Sequence, residues 1–197
     1  MENNELPKII VTKEDFIKFQ KQMYIKTKLT MLPELYDALN AKNWDKFITI
    51  ALACYEVMPE AFKHYEEVPD NLKYNFAIDA YTNHGDSIPA VRKAVRGARK
   101  YGAPKLPPEI QGREVITVYR AGEEPPTQCA RRISWTTNYD TALFFLDTYN
   151  GRHANYLYKS EIKRADIIAY NDNRNEAEVM QYNKVFNIEV LQIKERA

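Results

Sequence analysis

The amino-acid sequence predicts an α+β fold in which a helical N-terminal half precedes a mixed β core. Up to about residue 105, apolar side chains recur at the spacing of amphipathic helices. Beyond that point, short β-branched and aromatic runs are typical of strands. Between the two regions, the segment 103–108 (APKLPP) contains three of the ten prolines and predicts a stiff linker. We therefore expect an all-helical lobe over residues 1–105 and a second domain over residues 110–197.

Four helices are predicted in the first half from residues that favour helix ends. Thr12 is a candidate start for the first helix, Asn43 for the second and Asp70 for the third. Ser87 is a candidate cap for the last helix, and Gly102 is its expected stop. Apolar residues at helical spacing follow each start, which predicts that every helix buries one face.

The second half is predicted to contain strands interrupted by one helix. A β-branched run occupies residues 115–119, and aromatic and apolar residues alternate over 156–162. Two further apolar runs, 167–170 and 188–193, complete the expected sheet. The apolar spacing over 140–147 predicts the helix.

The composition predicts a globular protein of the cytoplasm. Hydrophobic residues make up 45% of the 197 and charged residues 28%, while a formal net charge of +1 gives no global attraction to nucleic acid or membrane. Residues 1–8 are polar, and no apolar run approaches the ~18 residues of a membrane span. The two cysteines follow no metal or redox spacing, and the three histidines are scattered, so we expect no metal site.

Three polar stretches in the second half are candidates for chemistry. Arg120 ends the first predicted strand. Ser134 and Thr136 flank Trp135 at the end of another strand. Each stretch alone also has an ordinary structural interpretation: a salt-bridging strand end for the arginine, strand hydroxyls for the serine and threonine, and a core position for the tryptophan.

The third stretch contains Glu176 and Glu178. If both lie on a strand, residues two apart point to one face, so the two carboxylates would project into one cleft. Carboxylates side by side repel each other, whereas a site that stabilises a sugar cation requires such a group. The alternative is an exposed edge strand with two solvated acids.

The order of arginine, Ser-x-Thr and Glu-x-Glu resembles the ADP-ribosyltransferase fold in its arginine–serine–glutamate class, which includes many bacterial toxins and some phage enzymes. The stretches ISWTTNYDTALFF and IIAYNDNRNEAEVM are similar to the serine–helix and the strand–loop–acid segments of bacterial members. The resemblance covers residues 113–193. The sequence departs from it in one place, at two neighbouring positions: Trp135 stands where the family has a threonine, and Thr136 stands where it has a second serine.

The resemblance implies that NAD⁺ is cleaved as a substrate. Glu178 would bind the ribose next to the scissile bond, and Ser134 would hold Glu178 in place. Arg120 would bind the pyrophosphate or the adjoining ribose. A glutamate at the position of Glu176 goes with transfer to arginine in this family. The expected catalytic set is Arg120, Ser134, Glu176 and Glu178.

Aromatic residues near the serine are candidates to stack on nicotinamide or adenine, and the loop 147–153 is a candidate cover for the bound dinucleotide. The expected NAD⁺-binding set is Arg120, Ser134, Trp135, Thr136, Phe144 and Tyr149.

The last helix of the first half has a basic side. Between Ser87 and Lys105 there are six basic residues and no acid, and on a helix Arg92, Arg96 and Arg99 line one side. This side is either a solvated face or a patch for the phosphates of a nucleic-acid acceptor or an acidic partner. The other helices would recognise the acceptor or an inhibitor protein.

These observations predict a mono-ADP-ribosyltransferase that acts as a toxin or as a phage or defence effector. The expected acceptor is a protein arginine, with RNA or DNA bases second. An NAD⁺ glycohydrolase and a catalytically silent binding module are the alternatives.

Overall fold

The α+β prediction is confirmed by the computed structural model, which describes residues 13–84, 87–148, 154–172 and 175–193. Helices dominate the chain up to residue 100, and one antiparallel sheet follows. The helices of the first half are α1 (Lys13–Asn40), α2 (Trp44–Ala53), α3 (Met58–Ala61), α4 (Asp70–His84) and α5 (Pro89–Gly97). Short 3₁₀ helices follow α3 at Phe62–Glu67 and α5 at Ala98–Lys100.

The structure confirms one of the predicted helix caps and contradicts another. Asn43 caps α2, since its side-chain oxygen accepts a hydrogen bond from the backbone N–H of Lys46 at 3.2 Å. The expected cap of α5 is wrong, because the Ser87 hydroxyl donates to the carbonyl of His84 and Ile88 takes the cap position. Pro89 then occupies the first turn, where its missing N–H has no cost. Thr12 lies outside the described residues.

Six strands form a single sheet in which all neighbours are antiparallel, in the order β4-β5-β2-β1-β3-β6. The strands are β1 (Val115–Gly122), β2 (Ser134–Thr136), β3 (Tyr156–Lys163), β4 (Ile167–Asn171), β5 (Glu178–Gln181) and β6 (Phe186–Ile193). Helices α6 (Pro108–Gln111) and α7 (Pro126–Cys129), a 3₁₀ turn (Arg164–Asp166) and the predicted helix, α8 (Tyr139–Thr148), complete this half.

The core of the helical half continues onto one end of the sheet. Ile133, Ile168 and Met180 are buried in the same apolar cluster as the helical core. Two polar contacts fix this packing: the Tyr74 hydroxyl donates to the carbonyl of Ile168 at 2.8 Å, and Arg99 Nη1 donates to the carbonyl of Ile167 at 2.5 Å. The two halves therefore share one hydrophobic core.

Helix α8 packs on the same face of the sheet as the helical half, at the opposite end. Ala142 and Leu146 of α8 are buried against Leu157 of β3, with Tyr119 of β1 packed beside them. A second core fills the opposite face and includes Trp135. The sheet face is thus covered at both ends and open between them.

The longest described helix, α1, contains many polar side chains and is exposed to solvent along much of its length. Several of its apolar side chains, such as Phe19 and Leu29, are exposed, whereas Leu35 and Ala38 near its C-terminal end are buried in the core. Among the residues that the structure describes, no helix combines the length and the apolar character that crossing a membrane requires.

We expect Gly102→Ala to destabilise the protein by about 1–3 kcal/mol, since forced overpacking displaces well-packed neighbours. The added Cβ would lie 2.5 Å from Cγ of Tyr74, whose hydroxyl is bound to the sheet. Gly97→Ala is the matched control, because nothing lies within 4 Å of its added Cβ. Urea unfolding measures both variants, and equal stabilities would contradict the tight contact between Gly102 and Tyr74.

Candidate functional site

An open cleft of about 1000 Å³ lies between the helical half and α8, over the exposed part of the sheet face. Its volume is at the upper end of the range for ligand pockets. The sheet half contributes Tyr119, Arg120, Ser134, Phe145, Glu176 and Glu178 to the wall. The helical half contributes Tyr55, Tyr81, Thr82, Asn83, His84 and Ser87.

Ser134 and Glu178 meet in this cleft through the pairing of β2 with β5. Thr136 lies opposite Glu178 in the register, so Ser134 is the diagonal neighbour of Glu178 on the same face. The Ser134 hydroxyl donates to Glu178 Oε1 at 2.5 Å, and Glu178 is only 7% exposed. A buried carboxylate is thus held in one orientation by a neutral donor.

Arg120 binds the same serine from the neighbouring strand. Strands β1 and β2 are paired at Tyr119 and Thr136 and separate beyond that point. Arg120 Nη1 bridges the separation by donating to the carbonyl of Ser134 at 2.5 Å. Its Nε is buried and has no hydrogen-bond partner among the described residues. The arginine is therefore fixed to the site and retains a donor.

A second arginine at the cleft, Arg132, is paired with Glu124. Burial of Glu124 raises its pKa, but hydrogen bonds from its own backbone and from Arg132 outweigh this effect, with the charge of Arg120 adding to them. The pKa of Glu124 is therefore lower than usual, and the acid remains ionised at neutral pH. It neutralises much of the charge of Arg132.

The expected strand position of Glu176 is wrong. Strand β5 begins at Glu178, and Ala177 has a φ of 45°, in the left-handed region that a non-glycine residue seldom adopts. The alternation of a strand therefore does not bring the two acids together. Both nevertheless line the cleft, because the turn at Ala177 directs the chain there.

Hydrogen bonds from three sides hold this turn. The Ala177 N–H donates to the Asp172 carboxylate at 2.9 Å, and the Ala177 carbonyl accepts from the Thr137 N–H at 3.1 Å. The Thr136 hydroxyl donates to the carbonyl of Glu176 at 2.6 Å. Such contacts offset the cost of a strained backbone. Thr136 thus positions Glu176 through the main chain, a role different from the ligand contact expected from the sequence.

The aromatic candidates divide between core and surface. Trp135 is 2% exposed and lies in the core of the opposite face, with its Nε1 donating to the carbonyl of Arg132 at 3.0 Å. It offers no exposed ring for stacking. Phe144 is 59% exposed and lies outside the cleft wall, whereas its neighbour Phe145 lines the wall. Tyr149, like the rest of the segment 149–153, lies outside the described residues.

Two arginines of the predicted basic side, Arg96 of α5 and Arg99 of the 3₁₀ helix that follows it, bind backbone carbonyls of the sheet half. Arg96 donates to the carbonyls of Arg131 and Tyr182, at 3.0 and 3.4 Å, and Arg99 donates to Ile167. These arginines bind the sheet half, which sequence spacing alone did not indicate.

Sequence reasoning also missed the wall that the helical half forms, including Tyr55 and His84. These residues are far apart in the chain and belong to no motif. Only the packing of the helical half onto the sheet brings them to the cleft.

The chain matches no protein-family model, and comparison with curated proteins and with solved structures finds no similar protein. The described residues also contain no cluster of three or more His, Cys, Asp or Glu side chains suited to a metal ion. The chemistry of the cleft, together with the resemblance of its motifs, is therefore the basis for a functional proposal.

We expect Thr136→Val to destabilise the protein by about 1–3 kcal/mol, the cost of leaving buried polar groups without partners. The valine loses the bond to Glu176 and the bond that the threonine hydroxyl accepts from the Asn138 N–H at 2.9 Å. Thr137→Val is the control, because the Thr137 hydroxyl contacts Ala177 only at 3.4 Å. Urea unfolding measures the free energy of unfolding of both variants. Equal losses at the two positions would contradict the anchoring role of Thr136.

Proposed function

We propose that this protein is a mono-ADP-ribosyltransferase that cleaves NAD⁺ and transfers ADP-ribose to a protein arginine. The observation that supports this most strongly is the hydrogen bond from Ser134 to Glu178, with Arg120 bound to the same serine. These residues follow the chain order of the arginine–serine–glutamate class that the sequence resembles. The sheet half would then be an ADP-ribosyltransferase-like core. The toxins and phage enzymes of that class suggest a role as an effector.

Glu178 would act on the sugar as the bond to nicotinamide breaks. Positive charge then develops on the ribose, as in glycoside cleavage. A hydrogen bond from the 2-hydroxyl to a fixed carboxylate strengthens as this charge grows, so it stabilises the transition state more than the ground state. The bond from Ser134 keeps the carboxylate oriented before the reaction begins.

Arg120 would bind the phosphates or the neighbouring ribose. Its guanidinium is held by the carbonyl of Ser134, and its buried Nε has no partner among the described residues. A planar guanidinium suits phosphate oxygens because its N–H groups form a rigid fork. A fixed arginine that lines the same cleft as Glu178 would therefore align the dinucleotide with the acid.

Glu176 would act as the general base for the acceptor. A guanidinium nitrogen of the acceptor attacks the ribose carbon, nicotinamide leaves with the bonding electrons, and Glu176 takes the proton from the attacking nitrogen. Among the described residues, the cleft wall contains four glutamates, Glu123, Glu124, Glu176 and Glu178, and two arginines, Arg120 and Arg132. This excess of acids favours a cationic acceptor such as a guanidinium.

We expect Glu178→Gln to lower nicotinamide release and ADP-ribosyl transfer by on the order of 10³-fold, because the amide has nearly the same shape and no charge. The assay uses labelled NAD⁺ with cell lysate, followed by separate protease and nuclease digestion. Wild-type label should survive nuclease and be lost with protease. The control is Glu189→Gln, an exposed position on β6. A folded Glu178→Gln protein with full activity would refute the site.

We expect Glu176→Gln to lose transfer to arginine by on the order of 10²-fold while still hydrolysing NAD⁺, since a general base for the acceptor is removed and Glu178 remains. The measurement compares label on protein with free ADP-ribose in the same reaction. Undiminished transfer by this variant would contradict the assignment of Glu176 to the acceptor.

A further inference from the structure

The helical half presents an aromatic pair to the cleft. The rings of Tyr55 and His84 have centroids 5.4 Å apart and an interplanar angle of 51°. Tyr55 is 43% exposed, so part of its ring is accessible. His84 Nε2 lies 3.3 Å from the carbonyl oxygen of Leu52, which fixes the histidine against α2. The histidine is therefore fixed in position, and the tyrosine beside it remains partly exposed.

A contact near the end of α4 joins this helix to β4, the strand that pairs with the strand of the proposed catalytic acid. Asn171 donates from Nδ2 to the hydroxyl of Thr82 at 3.4 Å. In the pairing of β4 with β5, Asn171 lies opposite Glu178. His84 follows Thr82 by two residues on the last turn of α4. Tyr55, His84 and Glu178 all line the same cleft.

The charge of the cleft indicates what an open tyrosine ring would bind there. Among the described residues, four glutamates line the wall, and the two arginines of the wall bind Ser134 and Glu124. The face of an aromatic ring attracts cations, and a guanidinium is both cationic and planar, so it stacks on the ring.

We propose that Tyr55 and His84 form the acceptor subsite, in which an arginine guanidinium of the protein acceptor stacks on Tyr55 while Glu176 binds its N–H groups. This inference rests on the proposed transferase function. It assigns acceptor selection to the helical half, which lies outside the segment that resembles the transferase family.

The test uses the full chain with NAD⁺ and agmatine, a small guanidine. Tyr55→Ala should raise the KM for agmatine about tenfold and raise the KM for NAD⁺ much less, in line with the loss of a partly desolvated cation–π contact. Tyr55→Phe should restore the agmatine KM to near the wild-type value, because it keeps the ring. Tyr24→Ala, at a 42% exposed tyrosine of α1, is the matched control and should leave both constants unchanged.

Two results would overturn the subsite: equal KM increases for agmatine and NAD⁺ in Tyr55→Ala, or modification of single-stranded RNA in place of agmatine. A titration of agmatine followed by NMR gives a readout without catalysis. Shifts of the Tyr55 and His84 ring signals in the wild-type protein, with a smaller His84 shift in Tyr55→Ala, would support the subsite. Their absence would contradict it. Failure of the wild-type protein to cleave NAD⁺ would refute the transferase proposal separately.

Discussion

The packing of the helical half onto one end of the sheet determines the rest of the structure. Met180 and Glu178 are two residues apart on β5, so they share a face. Met180 is buried in the helical core, whereas Glu178 lies at the edge where that cover ends. The same burial that stabilises the fold therefore places a carboxylate at the boundary between core and cleft. A shift of β5 by one residue would turn Glu178 to the opposite core.

Burial of a carboxylate is unfavourable unless hydrogen bonds replace its lost water. Ser134 supplies one such bond, and its own position is secured by Arg120 at the carbonyl. The left-handed turn at Ala177 adds a further cost, which the bonds from Thr136 and Asp172 offset. Strain and buried charge thus occur together in this cleft. Such features are concentrated at functional sites because folding alone does not require them.

The sequence predicted most of the elements because their signals are local. Each predicted strand run and the helix over 140–147 is present in the structure, since periodicity reports which face is buried. The turn at Ala177 could not be predicted, because alanine has no preference for positive φ and only the contacts of its neighbours impose it. The side of the sheet on which Trp135 lies followed from the register with β5, which no local pattern specifies. The wall from α2 and α4 required tertiary packing.

The two halves contribute different chemistry to one cleft. The sheet half contains the acid, the serine and the arginine that the proposed cleavage of NAD⁺ requires, and the helical half adds an aromatic surface to the opposite wall. Tyr74 and Arg99 bind the halves together through backbone carbonyls of β4, so the wall is fixed relative to Glu178. A fixed wall favours an acceptor group of defined shape, because a preorganised site loses less entropy on binding. The proposed selection of a guanidinium would then depend on the interface between the halves as much as on Glu176.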